Sequence, residues 1–278
     1  MRTPVSVAVL CVIALAAPVS RTPAPLIDGS IDWRAAAPGL DRATIDVTGG
    51  GEGWRTRVVA VRIDPRRYRF RLRARLRGVE PAWSVDRAPA DAAVAVNVGQ
   101  FNGITPWGWV VMDGREIRPP GQGPLSTAVA WDRAGKMQWL EPEEIDRERA
   151  TGRILEAFQS YPTLIDARRQ VPRQIREPGL GVDVEHRDAR LAIGALDDGH
   201  VVLAMTRFYG FGALSPSLPL GLDLSEMAAV MLSLGCHRAV SLDGGVSAQL
   251  MVRDHGRARL WRGWRRVPMG LIAEPKDR

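Results

Sequence analysis

Three observations predict an α+β fold: one domain built on a largely antiparallel or mixed twisted β-sheet with a few packed helices. Short runs of alternating apolar and polar residues recur along most of the chain. Only two stretches carry helical spacing, and no unit of about 20 to 50 residues repeats. The 278 residues are 45% apolar and 25% charged, an ordinary balance for a folded protein rather than a disordered one.

The chain opens with Arg2, an unbroken apolar run over 5–17 and a small, polar exit at 18–20, so residues 1–25 read as a signal peptide or N-terminal anchor. The run is short for a bilayer span, so no stable span is expected once it is removed. Leu10 precedes Cys11 where a lipoprotein signal wants a small residue. Without that segment Cys236 is the only cysteine and no intrachain disulfide forms, so an exported, periplasmic or extracellular protein would depend on its core. Residues 26–42 read as a leader, 43–273 as the domain and 274–278 as a tail.

Strands are expected at 44–48, 57–63 and 68–74, with a turn at Asp64-Pro65. The last alternates arginine with apolar residues, which suits a solvated face better than a polyanion-binding stripe. Residues 92–98 form a small apolar run suited to a strand buried on both sides. The amides that follow it, Asn97, Gln100 and Asn102, can face a sugar or an oxyanion, or merely shape an Asn-Gly turn at 102–103. Trp107 and Trp109 share one side of a strand at that spacing, as a sugar-stacking platform or as core.

Hairpins are expected around Asp113-Gly114, Gly135, Asp197-Asp198-Gly199 and His255-Gly256. A helix is expected over 142–158, with early acids and Ile145, Ile154, Leu155 and Phe158 as its apolar positions. The Pro- and Arg-rich residues 168–180 read as a linker or an excursion across the surface, and 208–219 as a Gly- and Pro-rich loop. A second helix over 222–234 starts at Asp223 or Ser225 and stops at Gly235. It leads into an apolar strand that ends in Asp243, Gly244, Gly245 and Ser247. An acid at a strand's end beside two glycines suits a reaction site, although Asp-Gly-Gly is also a plain turn.

The ordered set Asn97-Val98-Gly99-Gln100-Phe101, Gln159-Ser160-Tyr161-Pro162-Thr163-Leu164, Arg190-Leu191-Ala192-Ile193-Gly194 and Leu242-Asp243-Gly244-Gly245-Val246-Ser247 resembles the phosphodiester glycosidase family. The resemblance spans about residues 43–273 and extends to the closing strand at 266–272. It departs from the family pattern at Val98, Gln100, Tyr161 and Leu191, and the loop over 208–219 lacks the expected Asp-Gly-Arg segment. It implies a hydrolase that cleaves the glycosidic C–O bond of a sugar phosphodiester in a phosphorylated glycan, an envelope sugar-phosphate polymer or a related glycoconjugate. Asp243 and Arg190 would be catalytic. Asn97, Gly99, Asn102, Gln159, Gly244, Gly245 and Ser247 would bind substrate.

The chemistry is coherent in itself. A phosphate leaves an anomeric carbon without being protonated, so one carboxylate suffices where glycosidases usually need two. Asp243 would attack or activate water, Arg190 would fork onto phosphate oxygens, and the N–H groups of Gly244 and Gly245 with the Ser247 hydroxyl would cradle them. The alternatives are a non-catalytic phosphoglycan-binding module and a metal-dependent phosphodiesterase. No cofactor is expected: the four histidines show no metal-protease pairing, so a zinc site is not called for, and a divalent metal requirement stays open. The net charge of +7 comes almost wholly from arginine, Lys136 and Lys276 being the only lysines. The arginines near the C-terminus lack interleaved aromatics, so no nucleic-acid partner is expected.

Overall fold

The computed structural model describes residues 27, 30–47, 56–74, 83–123, 125–209 and 221–276. The segment read as a signal at 1–25 lies outside the described residues, as does most of the loop over 208–219. Among the described residues every strand pairing is antiparallel, so the sheets are antiparallel rather than mixed. No described helix is long and apolar enough to cross a membrane.

A seven-stranded sheet runs, in spatial order, through Arg34–Ala37, Leu40–Asp46, Thr56–Ile63, Val201–Phe208, Leu191–Ala195, Arg238–Leu242 and Thr163–Ile165. Against it lies a five-stranded sheet of Arg257–Trp261, Leu250–Asp254, Val94–Asn97, Met269–Pro275 and Tyr68–Ala74. Alternation decides what each face meets. Val59, Val61 and Ile63 point between the two sheets, onto Phe70, Leu72, Val94, Val96 and Leu271. Val58 and Ala60 point the other way, into a second core beneath the helix Leu224–Ser233. Another five-stranded sheet holds the hairpins Thr127–Asp132 with Met137–Leu140 and Val110–Met112 with Arg115–Arg118, joined by Ile154–Ser160. Gln100–Asn102 and Thr105–Trp107 make a separate two-stranded ribbon.

Several expectations change. Residues 34–42, read as leader, are already sheet, and the last strand runs into the expected tail, to Pro275. The first helix is only Pro142–Thr151. It stops at Gly152, whose φ is 62°, and Ile154 and Phe158 become strand residues that reach two different cores, because the strand's register shifts between Ile154 and Glu156. Gly108, at φ 82°, turns the chain between Trp107 and Trp109, so they do not share a face. Trp109 is buried with its Nε1–H donating to Glu116 at 2.9 Å, while Trp107 lines a cavity. The arginine-rich strand is ion-paired rather than simply solvated: Arg71 meets Asp113 and the buried Glu156, and Arg73 meets Glu274.

The helix Leu224–Ser233 begins at Asp223, whose Oδ1 accepts the Glu226 N–H at 2.8 Å while Glu226 accepts the Asp223 N–H at 3.0 Å. This reciprocal cap fixes the entry residue Leu222, whose carbonyl reaches the site described below. Replacing Asp223 with Ala should lower the unfolding free energy by about 1 kcal/mol. The check is a urea titration, in which the midpoint falls and the slope stays constant.

Candidate functional site

The buried strand Arg238–Leu242 carries Asp243 to the end of the seven-stranded sheet. Three bonds fix where the acid sits. Its backbone N–H donates to the Gly99 carbonyl at 3.1 Å, its own carbonyl accepts Asn97 Nδ2 at 2.7 Å, and the strand is held one residue pair earlier by Ser160 Oγ donating to the Ser241 carbonyl at 2.6 Å. The chain then folds flat against the segment entering Leu191–Ala195. A Cβ on Gly244 would overlap the Ala189 carbonyl oxygen, and one on Gly245 would overlap the Asp188 carboxylate. Gly245 also has φ 55° and donates its N–H to the Ala189 carbonyl at 2.7 Å. The two glycines are there for close approach.

Burial raises the Asp243 carboxyl above the ordinary carboxylate range, and the nearby Asp188 charge adds to this. A hydrogen bond with Ser247 and the charge of Arg265 pull in the opposite direction. Arg265 Nε donates to Ser247 Oγ at 2.8 Å, its Nη2 lies 3.9 Å from Asp243 Oδ2, and its guanidinium covers the Phe101 ring at 5.4 Å. Asp243 Oδ2 is buried without a hydrogen-bond partner. Such an orphan acceptor costs about 1 to 3 kcal/mol and marks a place where a ligand donor fits.

The structure brings Asp243, Gly244, Gly245, Ser247, Asn97 and Gly99 together, with different tasks from those expected for some. Asn97 is fully buried, and its two amide ends serve Asp243 and the Gln249 N–H, at 2.7 and 2.9 Å, so it positions the acid and cannot face a sugar. Gln159 is likewise fully buried: its Oε1 accepts the N–H groups of Trp109 and Gly121, and its Nε2 donates to Gly121 and Ser126. Gly245 spends its N–H on Ala189, which removes it from the expected phosphate cradle. Arg190 donates from Nε to the Leu222 carbonyl at 2.8 Å and from Nη2 to the His186 carbonyl. The edge expected to fork onto phosphate is therefore occupied by backbone, and burial lowers the pKa of this guanidinium. Arg207 is buried too, donating to the Ala248 and Arg262 carbonyls, and burial lowers its pKa to about 10.

Two residues were not singled out from the sequence. Arg265, whose side chain is 53% exposed, is the cation that reaches both Ser247 and Asp243. Asp188 packs on Gly245, two positions before Arg190. No group of three or more His, Cys, Asp or Glu side chains among the described residues is placed to hold a metal ion.

A cavity of about 510 Å³ opens beside this cluster. Its wall Gln100–Asn102 follows directly on Gly99, and Trp107, Tyr161 and Leu180 contribute to the rest. None of its lining residues is charged. Asn102 stands exposed at its edge, and Gln100 lines it while donating to the Tyr161 carbonyl at 2.8 Å.

A family model described as phosphodiester glycosidase matches residues 90–274. Among solved structures, a hypothetical protein from Synechocystis superposes with a TM-score of 0.64 at 16% identity, over 89% of this chain and 64% of that one. The chain thus spans slightly less than two thirds of that protein. The zebrafish N-acetylglucosamine-1-phosphodiester alpha-N-acetylglucosaminidase catalytic domain, auto-inhibited by its pro-peptide, gives 0.63 at 17% identity over 87% and 86% of the two chains. A protein from Burkholderia pseudomallei K96243, whose name carries the words exported protein, gives 0.54 at 17% identity over 79% and 74%. At these identities the likeness is one of fold. A search of curated proteins finds no significant match.

Because burial raises the Asp243 pKa, the folded state holds that proton more tightly than the unfolded chain does. The associated stability is complete in acid and is lost as pH rises through the raised pKa. Asp243→Asn cannot ionise. Its unfolding free energy relative to the wild type should therefore be higher at neutral pH than in acid, measured by guanidinium titration at both. An equal difference at the two pH values would show that the carboxylate is not desolvated.

Proposed function

The chain belongs to the phosphodiester glycosidase family, and on that footing we propose that it hydrolyses the C–O bond joining a sugar to a phosphodiester in an exported, envelope or glycoconjugate setting. The observation that carries this reading is the partly buried Asp243 carboxylate beside Arg265, whose Oδ2 is buried without a hydrogen-bond partner. A raised pKa brings a carboxylate closer to the working pH, which makes it a better proton acceptor. Water adds to the anomeric carbon and gives its proton to Asp243. The C–O bond electrons leave on the phosphate oxygen, whose growing charge is met by Arg265.

The surroundings divide in the same way as the substrate. The uncharged cavity, with Trp107 and Tyr161 in its wall, suits a sugar ring, since aromatic faces cover apolar C–H surfaces and amides serve hydroxyls. The exposed head of Arg265 suits the anionic partner. Ser247 accepts from Arg265 Nε at 2.8 Å and stands beside Asp243, so it links the cation to the acid. The export setting rests on the apolar opening of the sequence, Val5 to Ala17.

Hydrolysis of a glycosyl phosphodiester in oxygen-18 water should place the label in the sugar. Label in the phosphate would mean P–O cleavage and would overturn the proposal. Asp243→Asn should reduce kcat by about 1,000-fold or more while leaving ligand affinity little changed. A wild type that binds a phosphoglycan without hydrolysing it would instead be a binding module.

Arg265→Lys keeps the charge and loses the planar fork. It should lower kcat/KM on a phosphodiester by about 10- to 100-fold, the size of one charge-assisted transition-state contact. A glycoside with a neutral phenol leaving group should lose much less. Equal losses on the two substrates would remove Arg265 from phosphate recognition.

A further inference from the structure

We infer that Asp188 is a second carboxylic acid of this site, placed to protonate a leaving oxygen, and that the chain therefore also cleaves glycosides whose leaving group is an alcohol. The inference rests on the reading of Asp243 as the hydrolytic carboxylate. A phosphodiester does not need the second acid, so the family activity does not account for it.

The fold puts Asp188 there by the close approach already described. Its backbone N–H donates to the Leu222 carbonyl at 3.2 Å, and its Oδ1 accepts the Ala189 N–H at 2.8 Å. Oδ2 is directed onto Gly245, where any Cβ would collide with it. That glycine is two residues past Asp243 in a tight turn, so the two carboxylates flank one loop. The side chain of Asp188 is 24% exposed, enough to be reached by a ligand and too little for full hydration.

The charges around the pair are few. Asp188 faces Arg190 on its own segment and His186, whose Nε2 lies 3.7 Å from Oδ2, and Asp243 faces Ser247 and Arg265. Burial outweighs both cations at Asp188 and raises its pKa, and the Asp188 charge in turn raises that of Asp243. Burial disfavours the charged form of each carboxyl, so the pair suits a division in which Asp188 keeps its proton as the acid and Asp243, beside Arg265, gives its proton up as the base.

With an alkyl glycoside the step balances as follows. The Asp188 O–H proton passes to the departing oxygen as the anomeric C–O bond breaks, releasing a neutral alcohol. Water bonds to the anomeric carbon, and its proton goes to Asp243. One proton has then moved from Asp188 to Asp243 overall, and exchange with solvent resets the pair. The exposed imidazole of His186 offers a route to Asp188.

The test uses three substrates built on one sugar: its methyl phosphodiester, its 4-nitrophenyl glycoside and its methyl glycoside. The wild type should turn over all three. Asp188→Asn should lower kcat/KM on the methyl glycoside about 100-fold, the usual worth of a general acid, and at least tenfold less on the other two, whose leaving groups need no proton. It should also abolish the alkaline limb of the methyl glycoside pH profile, which in the wild type reports loss of the Asp188 proton. A purely structural residue would do neither. Asp188→Ser serves as a second variant, and retained phosphodiester turnover shows that either variant is folded. Equal losses on all three substrates, or no wild-type turnover of the methyl glycoside, overturn the inference. Failure on the phosphodiester in the wild type would instead overturn the family-based reading of Asp243.

Discussion

The site depends on one steric constraint, the contact between the Asp243–Ser247 loop and the chain entering the strand Leu191–Ala195. At Gly244 and Gly245 there is no room for a side-chain carbon, because the Ala189 carbonyl and the Asp188 carboxylate occupy the space. Everything near the acid follows from that approach. It allows the Gly245 N–H to meet the Ala189 carbonyl at 2.7 Å, and the loop continues as a 3-10 turn that returns Ser247 to the side of Asp243. The same contact carries Asp188 into the site and leaves Arg190 turned back toward the Leu222 and His186 carbonyls. Two glycines thus bring an acid in and send an arginine away.

The electrostatics build on this geometry. Hydrophobic packing on both sides of the seven-stranded sheet makes the end of the Arg238–Leu242 strand a poor place for a charge. The fold puts a carboxylate there anyway and compensates it only partly. Arg265 is within ion-pair distance of Asp243 but commits its short contact to Ser247, so one Asp243 oxygen keeps an open lone pair. A fully satisfied carboxylate would be more stable and less basic. An incomplete pairing of this kind is what a proton acceptor requires.

The local parts of the fold were legible in the sequence because their signals are local. Asp113-Gly114 and His255-Gly256 turn hairpins as their left-handed φ angles demand, and Asp223 caps its helix through Glu226 three residues on. The overlong first helix shows the limit of that reasoning. Ile154 and Phe158 have helical spacing with Leu155, yet a single glycine at 152 ends the helix and turns the same residues into a strand. The ordered motifs located Asp243 and its glycines, but they did not reveal which polar groups the core consumes. Asn97 and Gln159 looked like ligands for a sugar and are buried braces, because sequence does not show that backbone groups lie opposite their amides. Arg265 was hidden among many arginines and is adjacent to Ser247 only in space. Asp188 had one faint signal, its position two residues before the motif arginine.

The four departures from the family pattern separate once they are placed in the fold. Val98 and Leu191 are fully buried between the facing sheets, where they contribute packing and do not line the 510 Å³ cavity. Their effect on chemistry can only pass through the backbone they support. Gln100 and Tyr161 both line the 510 Å³ cavity and are tied together by the Gln100 amide donating to the Tyr161 carbonyl. Tyr161 also meets Trp107 edge to face, with ring centroids 6.4 Å apart. Substitution in the sheets preserves shape, whereas substitution at the cavity wall changes which hydroxyls and ring faces find partners. Of the four departures, Gln100 and Tyr161 are therefore the two that shape the wall of the 510 Å³ cavity directly.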